Sequence, residues 1–219
     1  MTSPRLRAVA IVDGEHYADV VRDALGALDH EVVAAVMAGG TEKLRGGEDY
    51  GVPLETDLEA AIGAHAPELV VDLSDEPVLD PVRRLRLVAR SLVAGVPYAG
   101  PGFRFDPPTR EPYELPSVAV IGTGKRMGKT AVTGALARRA SQTSRVVVVA
   151  MGRGGPPAPE VIEERPTISS LLALSRTGRH AASDHLETAL IAGIPTVGCR
   201  RCGGGLAGEV GTSTVLEGA

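Results

Sequence analysis

Residues 122–130, reading GTGKRMGKT, constrain the chain more than any other segment. An apolar run at 117–121 precedes them, and a stretch of helical character at 130–139 follows. A strand feeding a glycine loop that opens a helix gathers backbone N–H groups around phosphate, with the positive end of the helix dipole behind them. The spacing predicts a Walker A-type loop for a nucleoside triphosphate, ATP by preference. Gly122, Thr123, Gly124, Met127, Gly128, Lys129, Thr130 and Ala131 would form the cradle. Lys129 would reach the outer phosphates, and the Thr130 hydroxyl would take Mg²⁺. The usual pattern is G-x-x-x-x-G-K-[ST]. Here the position five before Gly128 is Thr123, and the glycine stands one step earlier, at Gly122. Lys125 and Arg126 add charge inside the loop. They either stabilise a transferring phosphoryl group, as catalytic residues beside Lys129, or are solvated loop charges.

The rest of the chain fits this α/β reading. Strand-like runs at 8–12, 31–37, 69–73 and 96–99 alternate with helix-like stretches at 17–28, 58–65 and 81–94. Such alternation predicts a parallel sheet with helices on both faces, and ligands beyond the carboxyl ends of its strands. Loops at 13–17, 39–43, 74–77 and 100–104 would share that rim. His16 would bind an anion there or be polar surface. Residues 106–116 hold four prolines in eleven positions, the composition of an extended linker. The expected organisation is a Rossmann-like domain at 1–105, a Pro-rich linker at 106–116, and a P-loop domain at 117–219. In the last, 145–151 and 196–198 read as strands, and 167–176 and 183–192 as helices. Those are few strands for such a domain, so the P-loop NTPase domain looks truncated.

Softer candidates cluster in this second part. Arg153 in the MGRGGP block is either a phosphate contact or an exposed turn residue. Arg179, His180, Asp184 and Glu187 lie in GRHAASDHLE, which reads as a metal or substrate site or as a capped helix start. Arg200 and Arg201 sit in GCRRCGGG, whose guanidiniums and glycine N–H groups suit a polyanion. Cys199 and Cys202 are the only cysteines. A single C-x-x-C lacks the second pair of a zinc site, and two reduced thiols in a tight turn are the expectation. Formal net charge is -4, which gives no electrostatic support to nucleic-acid binding. No apolar run approaches a signal core or a membrane span, so no membrane association and a cytoplasmic location are expected.

Several blocks together carry a resemblance. IVDGEHY at 11–17, IGTGKRMGKTAV at 121–132, GRGGP at 152–156, GRHAASDHLE at 178–187 and GCRRCGGGLAGE at 198–209 resemble the cyclic 2,3-diphosphoglycerate synthetase family. The loop itself is similar to that of dethiobiotin synthetase, equally long and opening Gly-Thr. The resemblance implies an ATP-dependent ligase with Mg²⁺ that closes the intramolecular phosphoanhydride of 2,3-bisphosphoglycerate and releases ADP and phosphate. It implies a homodimer, and members about twice as long as this chain. Substrate contacts would fall to Arg153, Arg179, His180, Arg200 and Arg201. The competing readings are a P-loop switch or GTPase, and a nucleotide-binding fragment without catalysis. The guanine-reading N-K-x-D is absent from the sequence.

Overall fold

The structure is a computed structural model and describes residues 5–55, 57–108, 111–124, 126–181, 183–203 and 210–219. The chain divides into two compact units, Met1–Glu111 and Pro112–Ala219.

The first unit is built on strands β1 (Arg7–Val12), β2 (Glu31–Met37), β3 (Leu54–Glu55), β4 (Leu69–Asp72), β5 (Tyr98–Gly100) and β6 (Phe103–Phe105). Their order in the sheet is β3-β2-β1-β4-β5-β6. All neighbours are parallel except β5 and β6, which form an antiparallel pair. Three helices connect them: α1 (Ala18–Ala27), α2 (Leu58–His65) and α3 (Pro81–Val93). The two-residue period of β1 sorts them by face. Val9 and Ile11 pack with Leu58 and Ala61 of α2 and with Val88 and Leu92 of α3. Ala10 and Val12 pack instead with Val21 and Leu25 of α1. Helices therefore cover both faces, as the continuous apolar strands require.

The helix starts follow capping chemistry. The Asp57 carboxylate accepts from the Ala60 N–H at 2.7 Å. Asp80 accepts from the N–H groups of Val82 and Arg83, with Pro81 at the first helical position. One expectation fails in this unit. The predicted rim loop at 100–104 is a hairpin, with Gly100 paired to Phe103 and Ala99 to Arg104. Three-residue FRF is too short to show strand periodicity, and stacking of Tyr98 on Phe103 holds the turn instead (ring centroids 6.3 Å apart).

The second unit contains α4 (Lys129–Ala140), β7 (Val148–Gly152), β8 (Glu160–Ile162), α5 (Ile168–Arg176), α6 (Asp184–Ala192), β9 (Thr196–Cys202), β10 (Thr212–Ser213) and α7 (Val215–Gly218). Here β9 is central. It runs parallel to β7 and antiparallel to β8 and β10. Residues 117–121, read as the strand feeding the loop, are not in a strand, and Val118 and Ile121 are 83% and 89% exposed. An apolar run becomes a strand only where a neighbour completes its backbone hydrogen bonds and covers a face. Among the described residues no strand pairs with it.

Arg200 and Arg201 lie within β9, not in a loop, because Gly198–Arg200 continue the ladder with Ala150–Gly152. Cys199 and Cys202 are therefore three residues apart on a strand and face opposite ways, not together in a tight turn. Cys199 is buried and Cys202 exposed. Burial pushes the Cys199 thiol pKa up. Among the described residues no helix is long and apolar enough to cross a membrane.

Candidate functional site

The glycine loop leads into α4, a helix of twelve residues. Gly128 stands at its N-cap with φ 80°, a conformation that admits glycine and strains other residues. Arg126 also has positive φ, at 59°. A non-glycine residue in that region is uncommon and clusters at ligand-binding turns. Among the described residues no side chain caps α4, and its first turn carries no carboxylate. Its leading N–H groups therefore keep their capacity to bind an anion, with the dipole favouring negative charge.

Glycine at 122 has a steric reason. A Cβ there would stand 3.0 Å from Cγ of Lys129, so the bare backbone lets the lysine stem cross the loop. Lys129 Nζ donates to the Gly124 carbonyl at 2.7 Å, an exposed bond that phosphate oxygens would replace. Thr130 is half-buried one residue into the helix, while Thr123, Met127 and Ala131 are exposed around it. The loop thus fits a triphosphate: uncapped helix amides, a lysine folded over the cradle, and a hydroxyl beside it for Mg²⁺. Lys125 lies outside the described residues.

A second assembly forms at the carboxyl end of β7, where three sequence blocks converge. β7 ends at Gly152, and the Asp184 carboxylate of α6 lies so close that a Cβ at Gly152 would meet it at 2.4 Å. The His180 ring lies over Gly154. Gly155 rests on the backbone of β9, where a Cβ would stand 2.0 Å from the Cys199 carbonyl oxygen. Arg200 Nε donates to the Gly155 carbonyl at 2.7 Å and fixes the turn. Arg153, in the middle of that turn, is exposed. The three glycines of GRGG, at 152, 154 and 155, therefore admit a carboxylate, an imidazole and a neighbouring strand to one turn.

Not every predicted residue joins this assembly freely. Arg179 pairs with Glu160 of β8, a partner that sequence spacing had not shown. Arg201 is half-buried, and its main chain pairs with Ser213. Ser183 stands at the N-cap of α6 but makes no capping bond. Its Oγ and Nε2 of His185 are buried without a hydrogen-bond partner among the described residues. Among those residues no hydrogen bond or ion pair joins loop 122–130 to the β7 turn, and no group of three His, Cys, Asp or Glu side chains converges on a metal position.

His185 gives the unit a pH dependence. Burial depresses its pKa, and the nearby Arg179 charge acts the same way, while Glu160 and Asp184 oppose it. The folded chain thus resists a proton that the unfolded chain binds below about pH 6.5. Its stability contribution is complete above that pH and falls away as the pH drops below it. Urea midpoints of the second unit should decline between about pH 7 and pH 5. The decline should be shallower in His185→Gln, and equal slopes would remove His185 as the cause.

A glycine loop opening an uncapped helix in one unit, and a parallel α/β sheet of Rossmann type in the other, define the class: a two-domain P-loop protein. The N-terminal domain of cyclic 2,3-diphosphoglycerate synthetase matches residues 7–106, and the P-loop domain of the same family matches residues 117–219. The chain belongs to the cyclic 2,3-diphosphoglycerate synthetase family. The protein of that name from Rubrobacter xylanophilus is 50% identical over 98% of this chain and 52% of its own length. Those from Pyrococcus abyssi and Thermococcus kodakarensis are each 47% identical, over 96% and 91% of this chain and 52% and 49% of their own lengths. The chain spans about half the length of the curated relatives it matches.

Proposed function

We propose that this chain carries the nucleotide loop and part of the substrate site of an ATP-dependent ligase acting on 2,3-bisphosphoglycerate. The observation that carries the reading is the convergence of the GRGGP, GRHAASDHLE and GCRRC blocks on one turn, in the same unit as an uncapped phosphate-binding loop. The name of the relatives supplies the product.

The reaction balances in two displacements. One substrate phosphate oxygen attacks the γ-phosphorus of ATP, the bond to the β-phosphate bridging oxygen breaks, and ADP leaves. The second substrate phosphate then attacks the first, an internal P–O–P bond forms, and the added phosphoryl group leaves as phosphate. Both steps press anions together, so the site must supply fixed positive charge. Lys129 and the α4 amides hold the triphosphate. Mg²⁺, when bound at Thr130, neutralises charge on the phosphates. Arg126 and Lys125 lie in the loop, positioned by sequence to meet the transferring group. Arg153, Arg200, Arg201, Arg179 and His180 are the groups proposed for the substrate, with Arg179 leaving Glu160 to reach it. The working form in this reading is a cytoplasmic homodimer.

Mixing the protein with ATP, Mg²⁺ and 2,3-bisphosphoglycerate and following ³¹P resonances tests this directly. Cyclic pyrophosphate signals are the expected result. ATP hydrolysis indifferent to the bisphosphoglycerate would favour a nucleotide switch. A nucleotide-dependent melting shift without turnover would favour a chain that binds nucleotide without catalysis. Arg201→Ala should raise the KM for bisphosphoglycerate about tenfold with kcat little changed, the loss of one charged contact. Unchanged kinetics would take Arg201 out of the site.

A further inference from the structure

We propose that a groove in the first unit, between α2 and α3, binds a small phosphorylated anion independently of the phosphate-binding loop. The cavity is about 260 Å³, just below the size of pockets for drug-like ligands and suited to a smaller molecule. It opens at the carboxyl end of β2, beside Met37 and Ala38, the edge of an open α/β sheet where ligands sit. Its floor is apolar, with Leu58 and Leu79 buried. Arg83, Arg86 and Arg90 line one wall. Spaced three and four residues apart, they occupy one face of α3.

The arginines differ in what they already hold. Arg83 donates to the carbonyls of Val78 and Ala38, at 2.9 and 2.6 Å, and so anchors the groove. Arg90 pairs with Glu59 at 3.2 Å. Arg86 makes no hydrogen bond or ion pair among the described residues. The one carboxylate in the lining, Asp57, is engaged in capping α2. Three guanidiniums against two committed carboxylates, Asp57 at the α2 cap and Glu59 on Arg90, leave the groove one charge positive in a chain of net charge -4, with Arg86 as the uncommitted cation among the described residues. A guanidinium fork matches phosphate oxygens two at a time, which favours phosphate over a lone carboxylate. The small volume and the negative chain argue against a nucleic-acid strand.

The test is a ¹H–¹⁵N titration of the full chain, once with inorganic phosphate and once with 2,3-bisphosphoglycerate. Saturable shifts at the amides of Met37, Ala38 and Leu58–Ala60 are expected with at least one of the two probes. Shifts with both indicate a general phosphate site, and shifts with bisphosphoglycerate alone indicate a site that needs two anionic groups. Arg86→Gln should weaken the binding about ten- to a hundredfold, as the loss of a charged hydrogen bond does, and should leave the spectrum otherwise native. Shifts confined to residues 117–219 would overturn the proposal, as would equal affinity in Arg86→Gln. Because the readout lies at residues of the first unit, neither result depends on whether the second unit turns over.

Discussion

Lys129→Ala is expected to cut by half or more the rise in melting temperature that MgATP gives the wild-type chain. A ligand at a hundred times its Kd stabilises by about 2.7 kcal/mol, which for a unit of this size is a shift of roughly ten degrees or more. Among the described residues, the lysine's one side-chain hydrogen bond is the exposed donation to the Gly124 carbonyl. Removing it costs a charge-assisted contact to phosphate, about ten- to a hundredfold in affinity. Where turnover is measurable, the rate should fall by about two to three orders of magnitude, as when a preorganised charge donor is lost. The variant should melt like wild type without nucleotide, since nothing buried depends on the ammonium. A variant that kept the full nucleotide shift would place the triphosphate elsewhere.

The largest stability loss is expected at Asp72, in the first unit. Its side chain is almost fully buried at the carboxyl end of β4. It accepts from Arg84 Nε at 2.7 Å, from the Tyr98 hydroxyl at 2.8 Å and from the Ser74 N–H at 3.0 Å. Burial and the adjacent carboxylate raise the Tyr98 pKa far above its ordinary value, so the phenol stays a donor. Asp72→Ala leaves the buried Tyr98 hydroxyl and Arg84 Nε without their acceptor, while Arg84 keeps Glu76 at 3.1 Å and the Ser74 carbonyl at 2.8 Å. Breaking one side of such a pair costs about 3–5 kcal/mol. Asp72→Asn keeps an acceptor for Tyr98 but not the charge, and should cost less. Urea unfolding of both variants measures this, and a loss below about 1 kcal/mol in the alanine variant would show that the network relaxes around the gap.

The first unit was largely legible because local and global signals agree there. Apolar strands of 31–37 and 69–72 are bounded by turn residues, and Asp57 and Asp80 cap helices whose apolar faces follow the helical period. The Asp72–Arg84–Tyr98 network was not legible, since its members lie far apart in sequence and meet only when β4, α3 and β5 pack together. In the second unit the loop motif announced its own backbone, and α4 begins one residue before its expected start. The strand before the loop was misread because its apolar content is a local signal, whereas pairing is decided by neighbours. β9 was misread in the opposite sense. Gly198 and the paired arginines look like a connector, yet the ladder with β7 carries the strand through to Cys202. The meeting of GRGGP with Asp184 and His180 needed both the β7 turn and α6 in place.

The central claim is that residues 122–130 hold a nucleoside triphosphate, and titration calorimetry of the chain with MgATP tests it most directly. The expected result is saturable binding at one site per chain that weakens about ten- to a hundredfold in Lys129→Ala. Absence of binding heat with both ATP and GTP, or binding that survives the lysine substitution unchanged, would contradict it.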